Sequence, residues 1–185
     1  MNPTDGQHVM AGASPIKGRG AASNPEGRFE PLRRERVDDG WALEPDPEPN
    51  PQTVLLPDAT RTIITRNQSP DVGFDRSINP YKGCEHGCVY CFARPTHAYL
   101  DLSPGIDFET RIFYKTGVVE RLREEFGSPS YRCAVLAMGT NTDPYQPAEK
   151  KLEITRSILK TMLAYRHPVS IVTKGTLIER DLDLL

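Results

Sequence analysis

The sequence predicts an α/β domain built on a parallel sheet and preceded by a largely irregular N-terminal extension. Three observations carry that expectation. Nine of the 17 prolines and six of the 14 glycines fall within the first 60 residues, a density that disfavours regular structure. Residues 133–138, Cys-Ala-Val-Leu-Ala-Met, form the continuous apolar run expected of a parallel strand covered on both faces. From Arg61 onward, strand and helix patterns alternate at the spacing of βαβ units.

The extension, residues 1–60, is punctuated first by Gly18, Gly20, Pro25 and Gly27. Later comes Glu44-Pro45-Asp46-Pro47-Glu48-Pro49-Asn50-Pro51, where alternating prolines lack the N–H and fix φ, excluding helix and central strand. An extended, solvated segment is expected there. Between them, Arg33-Arg34-Glu35-Arg36 reads as a solvated, mixed-charge surface. The domain, residues 61–185, opens with Thr62-Ile63-Ile64-Thr65, a β-branched outer strand. Asp75-Arg76-Ser77-Ile78-Asn79 is a second strand that leads into a cysteine-rich loop. Val118, Val119, Leu122 and Phe126 share one helix face, and Gly127-Ser128-Pro129 ends that helix. After the 133–138 strand, a helix starts near Pro147 with Leu152, Thr155, Leu159, Met162 and Leu163 on its inner face. Pro168 ends it, residues 169–172 form the next strand, and Ile178, Leu182 and Leu185 outline a third helix.

Composition excludes several classes of function. No apolar run approaches the roughly 20 residues that span a bilayer, and Met1 to Gly12 lack the hydrophobic stretch of a signal peptide. Net charge is −2; six basic and ten acidic residues fall in the first 60, 17 and 15 in the remainder. Neither part has the basic excess that marks a polyanion-binding surface. Three of the four cysteines lie within eight residues, a poor disulfide framework and a good metal site. That usage points to a reducing compartment, the cytoplasm.

The central motif is Asn79-Pro80-Tyr81-Lys82-Gly83-Cys84-Glu85-His86-Gly87-Cys88-Val89-Tyr90-Cys91-Phe92. Cys84, Cys88 and Cys91 are spaced C-x3-C-x2-C, and Gly83 and Gly87 let the backbone curl around one inorganic centre. Zinc, as in a zinc-stabilised binding module, would need a fourth ligand from His86, His97 or Cys133. An iron–sulfur cubane held by three cysteines leaves one iron open. Without a ligand role, His86 and His97 are loop or surface residues, and Cys133 is a small buried hydrophobe inside its strand.

The spacing, with Tyr90 just before the last cysteine, resembles the signature of the radical S-adenosylmethionine (radical SAM) superfamily. The longer string through Phe92-Ala93-Arg94 is similar to the branch related to spore photoproduct lyase, and so is Lys17-Gly18-Arg19-Gly20-Ala21 in the extension. The resemblance implies that Cys84, Cys88 and Cys91 ligate a [4Fe-4S] cluster whose fourth iron chelates S-adenosyl-L-methionine. Reductive cleavage of that cofactor would yield methionine and a 5′-deoxyadenosyl radical that abstracts hydrogen from a substrate. An electron donor such as flavodoxin or ferredoxin is implied as partner. Tyr90 would lie against the adenine. Nucleic acid as substrate follows only from the analogy with the lyase; the charge balance adds no support.

Two further polar groups follow strands directly. Gly139-Thr140-Asn141-Thr142-Asp143-Pro144-Tyr145-Gln146 follows 133–138, and Thr173-Lys174-Gly175-Thr176 follows 169–172. Parallel α/β folds place their chemistry at such carboxyl ends. Asp143 with Thr142 or Asn141 can accept from an ammonium, and Lys174 can pair with a carboxylate, a set suited to an amino acid moiety. The alternative is capping of the Pro147 helix, with Gln146 and Glu149 also as caps. The family's Gly-Gly-Glu motif is missing here, but the lyase branch has Ser/Thr-Asp and Thr-Lys pairs at similar places. The resemblance therefore assigns Thr142, Asp143 and Lys174 to S-adenosylmethionine. It also implies a partial (β/α)6 TIM-like barrel, of which residues 61–185 supply only the N-terminal half. No ribose-contacting segment is found, and the chain is expected to be C-terminally truncated, so an inactive fragment is the third alternative.

Overall fold

The computed structural model describes residues 16–29, 51–58 and 60–185. Trp41, the Arg33–Arg36 charges and most of the acidic proline segment lie outside the described residues. The fold is mixed α/β with two sheets. In chain order the strands are β1 (Val54–Asp58), β2 (Thr65–Arg66), β3 (Arg76–Ile78), β4 (Tyr81–Lys82), β5 (Arg111–Lys115), β6 (Leu136–Met138) and β7 (Val169–Ile171). The helices are α1 (Ile106–Thr110), α2 (Val118–Gly127), α3 (Glu149–Leu152) and α4 (Ile154–Ala164), with 3-10 segments at Arg94–Leu100 and Thr176–Leu184.

The larger sheet has the order β2-β3-β6-β7. β3, β6 and β7 are parallel, in the register Ile78 to Met138 to Ile171, so their carboxyl ends lie side by side. β6 reaches β7 through α3 and α4, a βαβ unit as the alternation predicts. Ile63, Ile64, Ile78, Leu136 and Met138 form a core with Leu122 of α2 and Ile158, Leu159 and Met162 of α4. Each such side chain contributes about 1.5–3 kcal/mol on burial, which fixes the sheet under the two helices.

Several elements differ from expectation. The Thr62–Thr65 stretch yields only β2, because Ile63 and Ile64 turn into the core, 4% and 6% exposed, and leave the pairing to Thr65 and Arg66. The 133–138 run pairs only from Leu136; Cys133 is exposed and is not the buried hydrophobe its sequence neighbours suggest. The helix after Pro147 is broken at Glu153, whose φ of 50° is left-handed, and Leu163 lies outward. The C-terminal helix is a 3-10 segment with Leu182 and Leu185 exposed.

The smaller sheet, β1-β5-β4, is absent from the sequence expectation. β1 pairs in parallel with β5 along its whole length, although Val54–Asp58 lies in the segment expected to be irregular. β4 runs antiparallel to β5 and joins the second sheet to the end of β3. The chain thus switches sheets at Asn79-Pro80, immediately before the cysteine loop.

Candidate functional site

The three parallel strand ends carry three loops, and side chains stitch them into one rim. From β3, Asn79 Nδ2 donates to Thr140 Oγ1 at 3.2 Å, and its Oδ1 accepts from the Asn141 N–H at 3.1 Å. From β6, the Asp143 carboxylate accepts from the Thr173 hydroxyl at 2.7 Å and the Lys174 N–H at 3.0 Å. From β7, the Lys174 ammonium donates to Cys88 Sγ at 2.9 Å, which closes the circuit on the cysteine loop. The two polar segments expected at strand ends, 139–146 and 173–176, thus lie beside the cysteine loop.

The cysteine loop is held from behind. Cys84 N–H donates to the Phe108 carbonyl at 2.9 Å. Gln146, fully buried, accepts from the Glu85 N–H at 3.0 Å and donates to the Gly83 carbonyl at 3.1 Å. Thr142, 2% exposed, donates to the Tyr81 carbonyl at 2.8 Å, so its hydroxyl braces the loop from inside and does not face the rim. Gly83 and Gly87 have φ of 81° and 61°, left-handed turns that other residues adopt only under strain.

The electrostatics separate the rim from its support. Burial alone would raise the Asp143 carboxyl, but the neighbouring His86 ring and donors from Lys174, Thr173 and Tyr145 outweigh it and hold the pKa at about 2. Asp143 is therefore ionised at neutral pH, 3.4 Å from His86 Nε2. The Cys88 sulfur holds the Lys174 ammonium above its ordinary value. Burial pushes the Cys84 thiol up to about 11, so ligation there must displace a proton.

The predicted site residues divide clearly. Cys84 is buried, Cys88 and Cys91 are half-buried, and all three thiols are free. Tyr90 is 81% exposed beside exposed Val89 and Phe92. His97 is not a surface residue: it is fully buried, edge-on to Phe108 and Phe113, with Nε2 on the Arg111 carbonyl. Glu149 does serve as a cap, accepting from the Thr155 and Arg156 N–H groups at the start of α4. Gln146 does not cap; it holds the cysteine loop, a role that its position after Tyr145 does not signal. Sequence reasoning also missed Arg94, whose Nε donates to the Cys88 carbonyl at 3.0 Å, and buried Glu109, its ion-pair partner. Glu109 lies in a five-residue helix without a periodic signal.

Three free thiols on one glycine-turned loop, with an ammonium against one sulfur, suit an iron–sulfur cluster in kind. Among the described residues, no group of three or more His, Cys, Asp and Glu side chains is already gathered to hold a metal ion. No helix among them is long and apolar enough to cross a membrane.

Comparison with known proteins places this rim in context. The uncharacterized protein Rv2578c of Mycobacterium tuberculosis is 51% identical over 112 residues, 60% of this chain and 33% of that protein. Uncharacterized protein Mb2609c of Mycobacterium bovis matches to the same extent. Uncharacterized protein MJ0683 of Methanocaldococcus jannaschii is 30% identical over 107 residues, 58% of this chain and 38% of that protein. The chain thus spans about a third of the length of the curated relatives it matches. No solved structure matches it. The Radical SAM superfamily profile matches residues 78–185, from the end of β3 through the last residue of the chain. That match takes in the cysteine loop, both polar strand ends and more than half of the sequence, and the chain belongs to the radical SAM superfamily.

Proposed function

We propose that Cys84, Cys88 and Cys91 hold a [4Fe-4S] cluster and that the adjoining rim receives S-adenosyl-L-methionine, as part of a radical SAM enzyme. The observation that carries this reading is the contact between Lys174 Nζ and Cys88 Sγ. It sets a cation beside the sulfur of a proposed ligand, on the same rim as the ionised Asp143. A zwitterionic methionine moiety needs both signs of charge next to the metal, and Asp143 and Lys174 supply them. Tyr90 is exposed and free to stack on the adenine, while Thr142 supports the rim from within. When bound, the cluster supplies the electron for reductive cleavage, replenished by a donor such as flavodoxin or ferredoxin.

The β3, β6 and β7 units are then the first units of a partial (β/α)6 barrel. The string from Asn79 to Arg94 resembles the branch related to spore photoproduct lyase, which supports hydrogen abstraction from a substrate as the reaction class. A zinc module is less well supported. His86 Nε2 faces the Asp143 carboxylate at 3.4 Å, His97 is fully buried between Phe108 and Phe113, and Cys133 precedes β6, at the far end of that strand from the rim.

Anaerobic reconstitution with ferrous iron and sulfide, followed by reduction with S-adenosylmethionine, tests the reading. A brown protein that forms 5′-deoxyadenosine is expected. Iron uptake should be lost in Cys84→Ala, Cys88→Ala and Cys91→Ala. Bound zinc without iron or sulfide would overturn the reading. Iron uptake without cofactor cleavage would remove its enzymatic part. Nucleic acid as substrate requires duplex binding that weakens steeply with salt; a titration without binding removes that class.

A further inference from the structure

We propose that residues 17–24 form a strap that seats the cysteine loop, with Glu109 as its anchor, and that Gly20, Arg94 and Glu109 are positioning residues for the metal site. The proposed cluster enters only the second of the two readouts below.

Glu109 is fully buried in α1. Its carboxylate accepts from the Gly20 N–H at 3.0 Å and the Ala21 N–H at 2.9 Å, and it pairs with the Arg94 guanidinium. Arg94 passes that constraint to the loop, donating from Nε to the Cys88 carbonyl and from Nη1 to the carbonyls of Pro104 and Gly105. Arg19 ties the strap down on its other side. It donates to the Glu109 carbonyl at 2.9 Å, the Pro51 carbonyl at 3.0 Å and Thr53 Oγ1 at 3.1 Å. Asn24 and Asp107 exchange two hydrogen bonds, and the Ile106 N–H donates to the Ser23 carbonyl.

The contact between strap and loop is backbone on backbone. A Cβ at Gly20 would lie 1.7 Å from the Gly87 carbonyl oxygen, so no larger residue allows the approach. A Cβ at Gly87 would in turn meet Glu109 Oε2 at 3.0 Å. Strap, loop and carboxylate are therefore stacked with no side chain between them. A buried carboxylate is tolerated only with its acceptor positions filled, and two of its donors come from the strap. Lifting the strap strips the Glu109 carboxylate of both backbone donors, leaving it on Arg94, and removes the Gly20 backbone from its seat against Gly87 in the cysteine loop. Docking of the strap and geometry of the ligand loop are thereby coupled.

Gly20→Ala in the full 185-residue chain tests the coupling without touching the core; Lys17→Ala, at an exposed strap position, is the control. In the metal-free chain, amides of residues 84–92 are expected to exchange about tenfold faster or more in Gly20→Ala, with β6 and α4 unchanged. After anaerobic reconstitution, its iron–sulfur absorbance should bleach several-fold faster in air than that of the wild type or Lys17→Ala. Glu109→Gln keeps the shape of the anchor but turns one acceptor into a donor, and should reproduce both effects. If that variant does not fold, Gly20→Ala alone decides. Faster exchange confined to residues 17–24, with the loop as protected as in the wild type, overturns the proposal. A wild-type chain that takes up no iron overturns the cluster reading instead, and the exchange result still decides the strap.

Discussion

Lys174 is the one cation whose hydrogen bond reaches a cysteine sulfur among the described residues, through a flexible stem on the loop after β7. Its backbone N–H is fixed by Asp143, so the residue is anchored even though the side chain can swing toward a ligand carboxylate. Lys174→Ala should therefore raise the S-adenosylmethionine concentration for half-maximal 5′-deoxyadenosine formation about tenfold, the usual loss for one charge-assisted hydrogen bond. Iron content should stay unchanged; loss of iron would mean that the lysine acts on the cluster loop itself. Glu149 works out of sight of the rim. It is fully buried and accepts from the Tyr81 hydroxyl, the Thr155 and Arg156 N–H groups and the Arg180 guanidinium. Burial and the neighbouring Glu149 both push the Tyr81 phenol far up, so that hydroxyl remains a donor at every working pH. Glu149→Gln leaves Arg180 with Asp181 as its close charge partner and turns an amide donor toward other donors. A loss of about 3 kcal/mol in urea unfolding is expected, whereas a loss under about 1 kcal/mol would dissolve the network as described.

Glu153 separates α3 from α4 with a left-handed backbone, φ 50° and ψ 31°. For a residue with a Cβ this conformation costs about 1–2 kcal/mol. Its side chain recovers little, since the contact to Arg180 is 3.9 Å long and Glu153 is 56% exposed. Glu153→Gly should leave stability unchanged or raise it by up to about 1 kcal/mol, read from the urea midpoint; a clear loss would assign the side chain a structural role. The break also shows where sequence reading stopped. Leu159 and Met162 follow helical spacing and are buried as expected, but periodicity carries no mark of a break made by the Glu149 carboxylate capping the helix after its own. β6, with its consecutive apolar residues, and β7, with Val169 and Ile171 either side of Ser170, were legible in place and parallel sense. β1 was not, because Val54–Asp58 adjoins a proline-rich segment and pairs with a partner more than 50 residues away. The same limit applies to the site. Cys84, Cys88, Cys91, Asp143 and Lys174 stand out in the sequence as candidates by residue type and by their place after strands. Arg94, Glu109 and Gln146 act through hydrogen bonds to backbone and to one another that follow no helical or strand spacing.

Acidification should destabilise the whole molecule in two stages, each belonging to a different part of the fold. His97 is enclosed by the smaller sheet and α1, and His167 lies beyond α4, stacked on Phe126 and bonded to the Tyr131 hydroxyl. Burial lowers both rings below 6.5, outweighing the carbonyls they contact. The folded state thus prefers them neutral: their contribution is complete above pH 6.5 and is lost as pH falls through their folded values. Asp181 behaves as the lower stage. Burial would raise it, but Arg180 and Arg156 hold it below 3.8, so its contribution is present above pH 3.8 and disappears beneath that. Asp58, with Thr60 and Lys82 overcoming its burial, adds to the same stage at the end of β1. Urea midpoints measured downward from about pH 8 should therefore begin to fall below pH 6.5 and fall again below 3.8. Asp181→Asn should lower the midpoint near neutrality and flatten only the second fall, since an amide neither titrates nor neutralises Arg156 and Arg180. His167→Gln should flatten the first. A first fall unchanged in both His167→Gln and His97→Gln would show that the burial of these rings does not govern stability near neutral pH, and would remove the upper stage.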